Sequence, residues 1–107
     1  MLYYVQQNLN GRWDIMPKPV TDTGKKNLIG TNLIALRKKY NLSQRALAHD
    51  LQLAGYDMDK NVITRIETQQ RYVTDIEIKA ICDLFKITYE QLISPDINNL
   101  IQQKDKK

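Results

Sequence analysis

The sequence predicts an all-α domain of five helices that follows a short N-terminal β-hairpin. From Leu28 onward, apolar residues recur with the period of an amphipathic helix. Ser, Thr and Asp residues, which favour helix N-caps, precede most of these segments. The preceding residues lack that period and are rich in strand-favouring side chains. We therefore expect a hairpin and linker over 1–27, the helical domain over 28–94, and a short helix with a frayed tail over 95–107.

Composition narrows the class of protein. The chain is 42% hydrophobic and 26% charged, as in ordinary globular proteins. No apolar run approaches the roughly 18 residues that a membrane helix needs. Cys82 is the single cysteine and cannot form an internal disulfide, and no secretory signal opens the sequence. We expect a cytoplasmic protein without a membrane segment.

The charge is unevenly distributed along the chain, which has a formal net charge of +4. Between Lys25 and Arg71, nine basic residues stand against four acidic ones. Between Tyr72 and Gln103, two lysines stand against five acids. This asymmetry allows one face of the protein to be positive toward a polyanion.

The segments LYYVQQ and RWDIM flank the turn-forming NLNG, which predicts a β-hairpin from about Leu2 to Met16. Pro17, Pro19 and Gly24 then indicate a linker. In the second strand, Trp13 and Ile15 alternate with polar residues, so one face of the hairpin is apolar. That face requires a partner, either its own domain, a second subunit or another protein, because an isolated hairpin is only marginally stable.

The first two helices are predicted from apolar stripes. The first ends near Asn41 and carries a stripe formed by Ile29, Leu33, Leu36 and Tyr40. The second begins after the N-cap candidate Ser43, and Gly55 suits its C-terminal cap. Its expected inner face consists of Leu47, Ala48 and Leu51.

The remaining helices have recognisable N-terminal signals. Asp59 is expected to cap a third helix from Lys60 to about Thr68, with an inner face of Val62, Ile63 and Ile66. Capping-box spacing opens the fourth helix at Thr74 and Glu77 and the fifth at Thr88 and Gln91. The fourth helix runs to Phe85 and buries Ile78, Ile81, Cys82 and Phe85, and the fifth buries Tyr89 and Leu92. Ser94 and Pro95 are expected to start one more turn carrying Ile97, Leu100 and Ile101.

The outward stripe of the third helix has an unusual composition. Asn61, Thr64, Arg65 and Thr68 share this stripe, which contains no acid. Amide, hydroxyl and guanidinium groups are those that read base edges in a major groove. Taken alone, the stripe is equally consistent with an ordinary solvated face.

Three further segments decide between these interpretations: LRKKYNLSQRALA, ITRIE and VTDIEIKAICDLFKITYEQL. With them the sequence resembles the phage-repressor-like (Cro/repressor, XRE) helix-turn-helix family over roughly residues 28 to 93. The resemblance implies a five-helix lambda-repressor-like DNA-binding domain. It also implies a sequence-specific transcriptional regulator that binds double-stranded DNA as a homodimer on a two-fold site.

The resemblance also implies a role for individual residues. The base-reading candidates, by their position on the recognition helix, are Lys60, Asn61, Thr64 and Arg65. The phosphate-binding candidates are Gln44 and Arg71, with weaker attraction from Lys38, Lys39 and Arg45. An ion pair between Arg37 and Glu67 is implied as a structural link from the first helix to the recognition helix.

The sequence departs from the family pattern in two places. The turn between helices two and three is about five residues longer than the usual three or four. We interpret QLAGYDMD as an extension of helix two plus a loop, with the core edge filled by Leu53, Tyr56 and Met58. Gln69 stands where the family usually has Gly, at a cost of about 1 kcal/mol if its φ is positive.

No enzyme, cofactor or metal site is predicted. The chain has no Gly-rich phosphate loop, paired catalytic carboxylates or nucleophile motif. His49 has no second ligand at metal spacing, and Cys82 is interpreted as a buried inert thiol. The alternative function is an antitoxin or adaptor that binds a protein partner through the N-terminal hairpin or the tail containing Ile97, Leu100 and Ile101.

Overall fold

The computed structural model describes residues 5–7, 13–15, 20–21 and 23–99, with backbone alone for the first two segments. Two strands, β1 (Val5–Gln7) and β2 (Trp13–Ile15), precede the helices. The helices are α1 (Gly30–Lys39), α2 (Gln44–Leu53), α3 (Lys60–Glu67), α4 (Asp75–Phe85) and α5 (Tyr89–Leu92). The prediction of an all-α helical domain is confirmed.

The two strands pair antiparallel, with Val5 opposite Ile15 and Gln7 opposite Trp13. Both lie inside the range predicted for the hairpin. The connecting residues 8–12 and the side chains of both strands lie outside the described residues. The hairpin over 2–16 and the packing of its apolar face therefore stay predictions.

All five helices contribute to one hydrophobic core. The fully buried side chains include Leu33 and Leu36 of α1, Leu47 and Leu51 of α2, Ile63 and Ile66 of α3, Ile81 of α4, and Leu92 of α5. Each is positioned by the helical period, because residues three or four apart share a face. Met58 from the lengthened turn adds to this core at 2% exposure.

The helix starts follow the predicted caps. Ser43 accepts a hydrogen bond from the backbone N–H of Ala46, and Asp59 accepts one from Val62. Both capping boxes form, at Thr74 with Glu77 and at Thr88 with Gln91. Each satisfies backbone donors that the first helical turn leaves without an intrahelical acceptor.

Left-handed residues close four of the helices. Asn41, Gln69 and Lys86 have φ values of 55°, 63° and 56°, and Gly55 has a φ of 97°. Gly55 lies one position beyond the C-cap of α2, Ala54, rather than at the cap itself. After α3, the N–H of Gln69 donates to Ile66 O and that of Gln70 donates to Arg65 O. This is the Schellman arrangement, and it stops α3 sharply.

Three side chains expected on buried faces are exposed. Tyr40, the last residue of the stripe predicted for the first helix, is 46% exposed and stacks on the ring of Phe85. Leu53 is 74% exposed, because it lies roughly 200° around α2 from the buried Leu51. Of the residues expected to fill the core edge, Met58 is buried and Tyr56 is half-buried against the core. Tyr89 is 44% exposed, because α5 is a single turn and its first residue lies at the rim of a cavity.

The segment after α5 continues the core only in part. Ser94 Oγ accepts from the N–H of Asp96, and Ile97 is buried at 3% exposure. Leu100 and Ile101 lie outside the described residues, so their predicted place on the same turn is not tested. Within the described part of the chain, no helix has the length and apolar content needed to cross a membrane.

Gly30 marks the closest approach between α1 and α3. A Cβ at this position would overlap the carbonyl oxygen of Ile66 and would lie 2.9 Å from Nε2 of Gln69. The absence of a side chain therefore lets the start of α1 lie against the end of α3.

We predict that Gly30→Ala lowers the free energy of unfolding by about 1–3 kcal/mol, because backbone must move to admit the methyl group. Urea denaturation followed by circular dichroism measures the change. Thr31→Ala, at the exposed neighbouring position, is the control and should stay within about 0.5 kcal/mol of the parent. Equal stability of the two variants would contradict the close approach.

Candidate nucleic-acid interface

Among the described residues, α3 is buried on its inner side and exposed on its outer side. Ile63 and Ile66 are fully buried, and Val62 packs half-buried against the core. α3 contacts both α1 and α2. Its outward stripe is therefore presented on a helix whose position is determined by two neighbours.

Three polar side chains project from the outer side of α3. Lys60, Asn61 and Arg65 are exposed. Within the part of the chain that the structure describes, none of them has a side-chain hydrogen bond or ion pair. Their donors and acceptors are available to a ligand without the loss of an internal contact.

The two threonines of this stripe are engaged internally. The Thr64 hydroxyl is half-buried and lies 2.9 Å from Gln44 Oε1 and 3.0 Å from the carbonyl oxygen of Lys60, to both of which it can donate. The Thr68 hydroxyl donates to the carbonyl oxygen of Thr64 at 2.7 Å. Because each hydroxyl has a single proton, these groups can offer a base their lone pairs and methyl groups but not a further donor.

A buried ion pair fixes the last turn of α3. Arg37 donates from Nε to Glu67 Oε2 at 2.5 Å and from Nη2 to Oε1 at 2.8 Å, and its Nη1 donates to Leu42 O at 2.9 Å. The two side chains are only 14% and 3% exposed. Hydrogen bonding to Glu67 raises the pKa of Arg37 above its ordinary value. The guanidinium thus ties α1 to both α3 and the α1–α2 turn.

Gln44 completes this network from the start of α2. Its Nε2 donates to Glu67 Oε1 at 2.8 Å, while its Oε1 accepts from Thr64. The amide therefore braces the recognition helix at two points. One of the two Nε2 protons bonds Glu67, so a phosphate contact from Gln44 would use the second.

The other phosphate candidates lie in different surroundings. Arg45 and Lys38 are exposed, and the ammonium of Lys39 lies 5.4 Å from the ring centroid of Tyr40. Arg71 is paired through Nη1 with Glu77 at 2.8 Å. A guanidinium carries five N–H donors, so this pair leaves others for a phosphate.

The comparison with known families agrees with this geometry. A family model described as helix-turn-helix, of the XRE type, matches residues 33–92, which is more than half of the chain. The chain belongs to this helix-turn-helix family. The resemblance seen in the sequence motifs is confirmed. Comparisons with curated proteins and with solved structures gave no match.

In this helix-turn-helix domain, Asn27 is a structural residue that the sequence reasoning missed. Its Oδ1 accepts from the backbone N–H groups of Ile29 and Gly30, at 3.2 Å and 2.8 Å, and so satisfies two donors at the start of α1. Its Nδ2 donates to the carbonyl oxygens of Ile66 and Arg71, both at 3.1 Å. Asn is common near helix starts, but nothing in the sequence indicates the bonds to α3.

Asn27 also supports the left-handed Gln69. Its backbone N–H donates to Gln69 Oε1 at 2.9 Å, and Gln69 Nε2 donates to Asn27 Oδ1 at 3.1 Å. Glycine at this position would avoid the strain of a positive φ but would lose both bonds. The strain of the positive φ at Gln69 is thus offset by hydrogen bonds to Asn27, which lies 42 positions earlier.

Other reactive side chains take no part in the interface. Cys82 is half-buried against the core, and its pKa is raised by burial and by the carboxylates of Asp83 and Glu90. The thiolate that would act as a nucleophile is therefore disfavoured. Among the described residues, no His, Cys, Asp or Glu side chains are grouped as three or more potential metal ligands.

We predict that Arg37→Met lowers the free energy of unfolding by about 3 kcal/mol, because Glu67 stays buried without its cation. Urea denaturation measures the loss. Lys79→Met removes the solvent-exposed pair with Asp83 and should leave the urea midpoint close to that of the parent chain. Adding Glu67→Met to Arg37→Met should recover part of the stability, and a further loss instead would contradict this account.

We predict different effects of Gln69→Gly in two backgrounds. In the parent chain the lost bonds to Asn27 offset the relieved strain, so stability changes by less than about 1 kcal/mol. In an Asn27→Ala background the bond to Asn27 Oδ1 is already lost and only the bond from the backbone N–H of residue 27 remains, so Gln69→Gly should be more favourable than in the parent chain by about 1 kcal/mol. A double-mutant cycle by urea denaturation measures the difference, and additive effects would contradict the coupling.

Proposed function

We propose that this protein is a sequence-specific transcriptional regulator that inserts α3 into the major groove of double-stranded DNA. The observation that carries the proposal is the outer side of α3, where Lys60, Asn61 and Arg65 have no described internal partner and no acid accompanies them. Membership of the helix-turn-helix family supports DNA binding as the general function.

Each base-reading candidate has a chemical match. The Asn61 amide suits the N6 and N7 edge of adenine, and Arg65 and Lys60 suit the O6 and N7 acceptors of guanine. The Thr64 methyl suits a thymine methyl, because its hydroxyl proton is engaged. We assign phosphate contacts to Gln44 and Arg71, with attraction from Lys38, Lys39 and Arg45.

A homodimer on a two-fold site is part of this proposal. A single helix of eight residues reads few base pairs, whereas two copies reading half-sites a helical turn apart double the contact. A protein partner bound through the N-terminal hairpin or the C-terminal tail is the alternative. Ile97 is buried in the core, so it supports no docking role for that part of the tail.

Selection of bound duplexes from a random pool, at a fixed and stated salt concentration, tests the proposal. We expect enrichment of one motif, repeated in inverted orientation about 10 base pairs apart. Recovery of a single unrepeated motif would contradict the dimer, and recovery of no motif would contradict sequence-specific binding.

We predict distinct losses for two groups of variants. Asn61→Ala and Arg65→Ala should each reduce discrimination between the selected and random duplexes by about 1–3 kcal/mol. Arg71→Ala should weaken binding to both duplexes alike and reduce the salt slope by about one. Fluorescence anisotropy over a salt series measures all three.

Two controls accompany these variants. Glu77→Gln breaks the pair with Arg71 but keeps the guanidinium, so it should not weaken DNA binding. Lys79→Ala removes an exposed charge on α4 outside the assigned contacts and should leave discrimination unchanged. Equal losses on both duplexes for Asn61→Ala, Arg65→Ala and Arg71→Ala would contradict the division of roles.

A further inference from the structure

A cavity of about 530 Å³ lies between the segment that precedes α1 and the loop that follows α3. Its walls come from distant parts of the chain: residues 20–21 and 25–29, the loop residues Tyr72 and Val73, Ile78 of α4, and Tyr89 of α5. The volume falls within the roughly 300–1,000 Å³ that is usual for small-molecule sites. The cavity is thus of a size to hold a compact organic ligand.

The interior of the cavity is apolar, and so is part of its rim. Ile29 is buried at 1% exposure, and Ile78 is half-buried, yet Val20, Leu28 and Tyr89 at the rim are 40%, 56% and 44% exposed. Large apolar groups exposed around one concavity are typical of a binding site, because their contact with water is unfavourable and a ligand would remove it. A ligand with an apolar body would cover them.

The charge at this cavity has one sign. Lys25 and Lys26 line it, both exposed, and the lining residues that the structure describes include no Asp or Glu. The ammonium of Lys26 lies 5.8 Å from the ring centroid of Tyr72, so its charge is held over the aromatic wall. An organic cation would be repelled at this edge, whereas an anion would be attracted.

Lys25 closes a turn with Thr21, and Lys26 follows it directly. Thr21 Oγ1 accepts from the N–H of Lys25 at 2.9 Å, the N–H of Thr21 donates to Lys25 O at 2.8 Å, and Gly24 provides the positive φ of 83°. Asn27, which lines the same cavity, is held by its bonds to Ile66 and Arg71. The basic edge is therefore fixed relative to the apolar interior.

We propose that this cavity binds a small amphipathic organic anion, with an aromatic or aliphatic body against Leu28, Ile29 and Val73 and its acidic group at Lys25 and Lys26. This site is distinct from the outer side of α3 and goes beyond the proposed DNA-binding function. Neither proposal depends on the other, because the binding test uses no DNA.

The test uses 8-anilinonaphthalene-1-sulfonate as the anionic probe and N-phenyl-1-naphthylamine as a neutral probe of nearly the same shape. Fluorescence titration of the full chain should give saturable 1:1 binding of the anion. The double variant Lys25→Gln/Lys26→Gln should weaken binding of the anionic probe about fivefold and should change the affinity for the neutral probe by less than about twofold.

A matched pair of exposed leucines locates the site. Leu28→Glu places an acid at the rim and should weaken binding of the anionic probe at least as much as the double lysine variant does. Leu53→Glu places the same acid on α2, at a leucine that is 74% exposed and does not line the cavity, and should leave the affinity unchanged. Urea midpoints within error of the parent chain show that the variants fold.

Three results would overturn the proposal. Equal weakening by Leu28→Glu and Leu53→Glu would mean that the probe binds elsewhere. Equal weakening of the anionic and neutral probes by the lysine variant would remove the assigned role of the charge. Absence of saturable binding would mean that the cavity is filled by other residues of the chain or by a second copy, and conversion of a dimer to a monomer by Leu28→Glu would identify the second copy.

Discussion

The bidentate pair between Arg37 and Glu67 is the interaction on which the outer side of α3 depends. Glu67 is the only acid in α3, and an exposed carboxylate there would add a negative charge beside Lys60 and Arg65. With Arg37 and Gln44 as partners, Glu67 turns inward and its side chain is only 3% exposed. The same bonds determine where α3 lies relative to α1 and α2. One buried carboxylate thus both positions the recognition helix and keeps its outer side free of negative charge.

Asn27 links the start of α1 to the end of α3. Its Oδ1 accepts from the N–H of Gly30 at the start of α1, and its Nδ2 donates to Ile66 O near the end of α3. Gly30, which has no side chain, lets α1 come close to Ile66 O of α3. Gln69 has a strained backbone, and its side-chain bonds to Asn27 offset that strain. The Asn27 side chain thus satisfies polar backbone groups at two helix termini, which would otherwise be costly to bury. The segment before α1 is therefore part of the scaffold that holds the recognition helix.

Much of the fold could be predicted because its signals are local. N-caps, capping boxes and apolar periods involve residues within one or two turns, so Ser43, Asp59, Thr74 and Thr88 could be assigned correctly from the sequence. The error at Leu53 arose because it was assigned to the core edge with the lengthened turn, whereas it ends α2 on the outward face. The error at Tyr89 arose because a helical period cannot say where the core ends. The motifs that indicated the family lie within residues 33–92, which the family model matches.

The sequence by itself determined the all-α class, the helix starts, the family and the acid-free composition of the outer stripe, because each depends on neighbours along the chain. Only the tertiary structure decided which polar groups are free. It engages the hydroxyl of Thr64, pairs Arg71 with Glu77, joins Asn27 to α3, and assembles a basic-edged cavity from four separate segments. Hydrogen-bond partners 20 to 44 residues apart are set by how the helices pack, and periodicity carries no information about that.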